Sequence, residues 1–318
     1  MPHGTVDPNP KAKFTKDPDH GWLFGDHPEL DPDRRARLQQ LLLDRKQQCF
    51  AYSLSDMPGY SGIDGDFRIE LDSDKPVFCK PRRYSPGEQK VTAEKCGELR
   101  DAGIIVRAPP SCKYACRPTL PAKKSPEGLW VDYRFCIDYR PVNERTIADR
   151  YGLHLPEDLY RQVGDAQVFS KIDLRGAFHQ IPIAAEDQPK TAFWWDNQLW
   201  MYTRMPYGLV SGSAKCQRVM DTEIAAAGLS NCALCFVDDL LVYSDSADEH
   251  IEHVTAVLDM LHRCGLRAHP DKSIFFTDSI EFLGHNISPL GLSPHESKVA
   301  AIKALSSPAN LTELRSKL

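Results

Sequence analysis

No run of about 18 uncharged apolar residues occurs anywhere in this 318-residue chain, so no membrane partner is expected. Residues 1–30 also lack an apolar stretch, and carry Pro2, Pro8, Pro10, Pro18 and Pro28 among Asp, His and Lys. That composition excludes a secretory leader and reads as a linker. Without a leader, the ten cysteines are expected as reduced thiols in an intracellular protein. They are not spaced for zinc: the close pairs Cys112–Cys116 and Cys232–Cys235 each lack a second Cys/His pair, and Cys232–Val237 reads as a buried strand. A basic excess is missing as well, since the net charge is −5. The average hides an asymmetry. Val77 to Arg150 holds 15 Lys+Arg and 9 Asp+Glu, which is +6 and leaves −11 for the rest. A plain solvated surface would account for this. So would a lobe that grips phosphates beside one that gathers metal-binding carboxylates.

What is present suffices for a large core. With 42% hydrophobic residues over this length, two or three lobes without metal or disulfide staples are expected. Helical spacing of Leu38, Leu41, Leu42 and Leu43 marks a helix over 31–46. Another is expected over 85–103, opened by a Ser85/Glu88 capping box with Pro86 at its first position and closed by Gly103. Strands are expected at 104–106, near 119–120, at 134–139 and at 168–174. Asp196-Asn197 signals a hairpin turn, residues 211–227 look helical, and 234–244 reads as a strand pair bent at two acids. A helix over 246–265 carries Ile251, Val254, Val257, Leu258 and Leu261 on one face, with a Ser246/Glu249 capping box. No internal repeat is evident. The mixture points to an α+β protein.

Three acids stand out because each closes an apolar strand: Asp173 after Phe169–Ile172, and Asp238 and Asp239 between Cys235–Val237 and Leu240–Tyr243. A polar turn explains Asp238-Asp239 alone. It does not explain a third acid in the same kind of place, because carboxylates among buried residues are costly unless paired. A divalent-cation site explains all three, and oxygen-only ligands suit Mg²⁺.

Phe236-Val-Asp-Asp239 resembles the Tyr-x-Asp-Asp box of reverse transcriptases, and Ser170–Ile181 (SKIDLRGAFHQI) resembles that family's first carboxylate motif. Further blocks follow in the family's order. Phe135–Asn143 is similar to the fingers motif, Arg204–Leu209 to the segment before the palm helix, Gly265–Lys272 to the lysine-bearing loop, and Phe282–His285 to the primer grip. Lys80–Pro86 and Ala102–Ile105 are similar to segments of gypsy-type long-terminal-repeat retrotransposons, and Leu314–Leu318 to the beginning of a further motif. The resemblance runs from about residue 38 to the end.

It implies a right-hand polymerase with an antiparallel palm sheet backed by helices. Residues 1–45 would be a linker or N-terminal extension, 46–147 and 182–210 fingers, 148–181 and 211–285 palm, and 286–318 the start of a thumb. The chain would stop before any RNase H domain. The implied activity is RNA- and DNA-directed DNA synthesis from dNTPs on a template with primer, with two Mg²⁺ ions (Mn²⁺ as a substitute) on Asp173, Asp238 and Asp239. Other Pol domains (protease, RNase H, integrase) would be partners, and the setting cytoplasmic, in a virus-like particle for an active element.

The resemblance also assigns smaller roles. Lys123 and Arg134 would contact the triphosphate, although Lys123 and Lys124 align equally well. Lys272 would donate a proton to pyrophosphate, or be a plain turn lysine. Phe178 would exclude a 2′-hydroxyl, although spacing alone makes it core. Tyr207 would lie near the nucleotide's 3′-hydroxyl, Gly208 would shape its turn, and Gly284 would let the backbone approach the primer end. Ser211–Gln217 (SGSAKCQ) departs from the family's Asn-Ala-Pro-Ala-Thr-Phe-Gln, which predicts a looser helix in which Gly212 costs about 1 kcal/mol. The alternative is therefore a catalytically inactive nucleic-acid-binding subunit or a degenerate element copy.

If Val77–Arg150 is the nucleic-acid track, template–primer affinity falls steeply with salt, log K dropping by about 0.9 per phosphate contact for each tenfold rise. A titration giving a flat response would remove that role from the basic stretch.

Overall fold

The computed structural model describes residues 14–73, 75–124, 130–133, 135–294 and 299. Its centre is a six-stranded sheet in the order Thr15–Lys16, Leu23–Phe24, Ile274–Thr277, Val168–Asp173, Asp239–Ser244, Ala233–Phe236. Val168–Asp173 is antiparallel to both of its neighbours. Strand alternation sends Val168 and Ile172 to one face and Phe169 to the other, and both faces are covered. On the first lie the helices Gly212–Ala226 and Ala247–Arg263, through Val219, Ile224, Val254, Leu258 and Leu261. On the second lie the helix Pro156–Val163 and the hairpin strands Ile280–Phe282 and His285–Ser288, through Leu159, Val163, Phe282 and Ile287. Smaller sheets form a second region. Ile105–Arg107, Gln198–Tyr202 and Phe193–Trp195 make one, and Arg117–Thr119 pairs with Cys136–Asp138 in another.

Most expected elements form where sequence periodicity puts them. The Ser85/Glu88 box closes reciprocally, with Glu88 N–H on Ser85 Oγ at 3.3 Å and Ser85 N–H on the Glu88 carboxylate at 2.8 Å. Asp196 and Asn197 both take left-handed backbone (φ 49° and 55°), as a two-residue hairpin requires. The Ser246/Glu249 box does not form: the Ser246 hydroxyl donates to the Glu249 carboxylate at 3.0 Å and caps no backbone N–H.

The linker reading of the N-terminal residues needs correction from residue 14 onward. Leu23–Phe24 adds a strand parallel to Ile274–Phe275, and Trp22 and Phe24 are fully buried. The helix Pro32–Asp44 buries Leu38 and Leu42. Two guanidinium forks pin this region to the helix Ala247–Arg263: Arg34 on Asp248 (3.1 and 2.9 Å) and Arg45 on Asp259 (2.7 and 3.1 Å). Proline and charge suggested a linker, whereas two isolated aromatics anchor the strand, too short a signal for periodicity to register.

The looser helix predicted from the 211–217 departure is also overturned. Gly212 is the first helical residue rather than an interior one, so its propensity cost is small. Lys215 is 1% exposed, and its ammonium donates to Asp64 Oδ2 (2.7 Å) and to the carbonyls of Asp64 (2.9 Å) and Gly65 (2.8 Å). One turn on, Arg218 holds Asp64 and Asp149, and Glu223 accepts from Tyr60 Oη and Ile63 N–H, both at 2.8 Å. The helix is tied to the 60–66 loop by charge, where a looser helix was expected.

Because Trp22 is core, Trp22→Ala lowers unfolding free energy by about 3–5 kcal/mol. A linker residue would change it by no more than about 0.5 kcal/mol. Urea denaturation distinguishes the two.

Candidate active site

Asp173 ends the central strand and stands directly opposite Asp239 on the neighbouring strand. Opposed residues of an antiparallel pair project from the same face, so these two carboxylates share one side of the sheet. Asp238 sits in the two-residue turn between the paired Phe236 and Asp239, and its carbonyl accepts the Leu174 N–H at 3.3 Å, which ties the turn to the end of the Asp173 strand. The structure thus brings all three strand-end acids together.

Two lysines offset them. Lys171 lies two residues before Asp173 on the same face, and its ammonium is 2.9 Å from Asp239 Oδ1. Lys272 reaches Asp173 Oδ1 at 3.5 Å from the short Pro270–Lys272 turn, held close by the His269 N–H on the Asp173 carbonyl at 2.7 Å. Burial raises the Asp173 carboxyl above its usual range, Lys272 opposes that, and Asp239 adds repulsion. Asp238 is raised by burial, then by Asp239 and Asp173. Three neighbouring acids with too little countercharge offer oxygen ligands of the kind a hard divalent cation takes. Among the described residues the one trio of ligand atoms lying within 4.8 Å of one another is instead Asp17, Asp19 and His20. That trio is a self-satisfied turn, with His20 Nδ1 2.9 Å from Asp17 Oδ1.

The turn carrying Asp238 is strained. Val237 has φ 59°, a conformation that costs a β-branched residue about 1–3 kcal/mol. Gln217, fully buried on the helix Gly212–Ala226, holds it there. Its Oε1 accepts the Val237 N–H at 3.0 Å, while its Nε2 donates to the Cys235 carbonyl and to Asp221 Oδ1, both at 2.9 Å. Sequence reasoning passed over both Gln217 and Lys171. Their signals were a lone amide on a buried helix face, and period-two placement beside Asp173.

The remaining expected residues divide. Phe178 lies on the Ala177–Gln180 turn, and its ring stands 5.0 Å from that of Tyr207. Burial, then Asp238, push the Tyr207 hydroxyl up to about 12. The two aromatics pack against each other, and Tyr207 lies within electrostatic reach of Asp238. A Cβ at Gly212 would stand 2.8 Å from the Phe178 ring, so glycine at the helix start makes room for it. Gly208 has φ 94° and its carbonyl accepts from Asn143 Nδ2 at 2.7 Å. Gly284 (φ 76°) lies in the separate Phe282–His285 hairpin. Lys123 falls on the strand Ala122–Lys124, and Arg134 lies outside the described residues.

Residues 122–287, more than half of the chain, match the family model described as reverse transcriptase (RNA-dependent DNA polymerase). The chain belongs to the reverse transcriptase family. This reverse transcriptase segment is 35% identical over 241 residues to the Retrovirus-related Pol polyprotein from transposon 297 of Drosophila melanogaster, covering 76% of this chain and 22% of that protein. It is 27% identical over 273 residues to that of transposon gypsy from the same organism (86% and 26%). The Transposon Tf2-3 polyprotein of Schizosaccharomyces pombe is 29% identical over 253 residues (79% and 18%). The chain thus spans about a quarter of the length of the curated relatives it matches. The foamy viral protease-reverse transcriptase in complex with double-stranded DNA superposes with a TM-score of 0.78 at 20% identity, over 91% of this chain and 49% of that one. Its complex with an RNA/DNA hybrid gives 0.77 at 19% identity, over 91% and 37%. These likenesses show the fold, a right-hand polymerase whose palm is the six-stranded sheet. The family uses divalent metal ions.

A carboxyl whose folded pKa is raised binds its proton more tightly in the native state than in the unfolded one. Stability therefore falls as pH rises from about 4 through the raised value. At neutral pH the charges of Asp173 and Asp238 oppose folding unless a cation binds. Asp238→Asn accordingly raises Tm in chelator and shrinks the Tm gain on adding Mg²⁺ or Mn²⁺. A fall in Tm in chelator would make Asp238 a structural residue instead.

Proposed function

We propose that this chain is the polymerase segment of a retroelement Pol polyprotein and carries out RNA- and DNA-directed DNA synthesis. The observation that carries the reading is the set of three acids converging at one end of the palm sheet, two of them opposed across a single rung with two lysines beside them. Asp173 and Asp238 would hold two Mg²⁺ ions, with Asp239 assisting. When bound, such ions lower the pKa of a primer 3′-hydroxyl and neutralise a departing pyrophosphate. The chain's own residues do the rest. Lys272 stands beside Asp173, where it can give a proton to the leaving pyrophosphate. Lys171 restrains Asp239. Lys123 and Arg134 supply positive charge to the triphosphate. Phe178 and Tyr207 wall the sugar side, and Gly208 sets the turn that carries Tyr207.

Fingers are assigned to 46–147 and 182–210, palm to 148–181 and 211–285, and the start of a thumb to 286–318. The described residues from 14 to 45 join the palm, since their strands extend its sheet. Template and primer would be held through backbone and 2′-hydroxyl contacts rather than base sequence, and dNTPs are the substrates. Protease, RNase H and integrase domains are the partners expected in a full polyprotein. The inactive-subunit alternative drew in part on the altered 211–217 segment. Lys215 and Gln217 tie that helix to the 60–66 loop and to the turn that carries Asp238, which favours the enzyme.

Extension of oligo(dT) on poly(rA) tests the reading: synthesis is expected with Mg²⁺ and none with chelator. In the same assay Phe178→Val raises the rNTP/dNTP ratio of kcat/KM by about 10–200-fold, because a wall that rejects by shape fails when it shrinks. An unchanged ratio would return Phe178 to core packing.

A further inference from the structure

The hairpin joining Ile280–Phe282 to His285–Ser288 closes through two residues, Leu283 and Gly284, between the paired Phe282 and His285. Both are left-handed, with φ 50° and 76°. Such a turn suits Asn-Gly, and leucine in its first place is strained. Something outside the hairpin must therefore hold it. A side-chain hydroxyl reaches this turn from another element: that of Tyr160, on the helix Pro156–Val163. Its hydroxyl lies 2.9 Å from His285 Nδ1, 3.3 Å from the Phe282 carbonyl and 3.5 Å from the Leu283 carbonyl. The arrangement that satisfies the partners has His285 Nδ1–H donating to the phenol oxygen and the hydroxyl donating to the Phe282 carbonyl. The rings meet edge to face, with centroids 5.2 Å apart and planes at 67°. The anchor is firm: Leu159 and Val163 of the same helix are buried with Phe169 of the Asp173 strand and with Phe282 itself.

We propose that Tyr160 is a positioning residue: its hydroxyl holds the Leu283–Gly284 turn left-handed and orients His285, so that the turn meets the primer's 3′ end in one fixed geometry. The inference rests on reading Phe282–His285 as the segment beside the primer end, and adds the group that keeps it in shape. Through the cluster that holds Leu159, Val163 and Phe169, the helix of Tyr160 also joins that turn to the strand bearing Asp173. The distance from primer end to acids is then set by packed side chains and does not depend on a free loop.

Tyr160→Phe removes the hydroxyl and keeps the ring, so the fold is retained. The measurement is the affinity of the whole chain for a duplex with a recessed 3′ end, 2-aminopurine at the primer terminus, against a blunt duplex of equal length. Wild type is expected to prefer the recessed end. Tyr160→Phe should lose about five- to tenfold of that preference, with Tm and blunt-duplex affinity unchanged. His285→Ala should add little in the Tyr160→Phe background, since the two act as one unit. An unchanged preference, a loss that follows a fall in Tm, or fully additive effects would overturn the positioning role and leave the reading of the hairpin standing. A wild-type chain with no preference for the recessed end would overturn both.

Discussion

In an antiparallel sheet, directly opposed residues share a face and lie only a few ångströms apart, and here one such rung is Asp173 against Asp239. Like charges in that position destabilise the pair they sit on. Burial adds to the cost, and Asp238 in the adjoining turn adds a third charge. Everything nearby answers this constraint. Lys171 and Lys272 neutralise part of it from the same face and from the next turn. The central strand is sandwiched between two hydrophobic clusters, so the rung cannot widen to relieve the repulsion. Stability given up at this point is what a cation-binding site requires, because the same charges that oppose folding attract the ion.

Rigidity near the acids comes from turns held against their own preference. Three two-residue hairpins have left-handed residues. At Asp196-Asn197 the residue types suit the backbone and no outside support is needed. Val237 and Leu283 do not suit it, and each is held by a side chain from a helix: the Gln217 amide on the Val237 N–H, and the Tyr160 hydroxyl beside the Phe282 and Leu283 carbonyls. An unsuited residue in each of these two turns is therefore paired with a hydrogen-bonding side chain from a helix outside the hairpin. The strain lies in the two hairpins that the family resemblance links to catalysis and to the primer. The third, Asp196-Asn197, carries none.

Departures from the family pattern have compensations that only three-dimensional packing exposes. Lys215, where the family pattern has Thr, makes an ion pair and carbonyl hydrogen bonds to the 60–66 loop. Gly212 replaces helix propensity with room for the Phe178 ring. The described N-terminal residues, rich in turns and charge, place Trp22 and Phe24 in the core and extend the palm sheet by two strands.

The chain's sequence alone determined the α+β class, most helix ends, the Asp196-Asn197 hairpin and the three acids, because each rests on local periodicity, capping chemistry or a charge interrupting an apolar strand. Its ordered motifs pointed to the family that the comparisons then showed. Only the tertiary structure decided that Asp173 opposes Asp239 on one rung, since strand register depends on partners some 60 residues apart. It also placed Lys171 beside Asp239, Gln217 on the Val237 turn and Tyr160 on the Phe282–His285 turn, because a hydrogen bond or ion pair between distant elements leaves no periodic trace in the chain. For the same reason the N-terminal strands were missed: pairs of two residues are too short to show a pattern, and the neighbouring strand at 274–275 is what makes Leu23–Phe24 a strand at all.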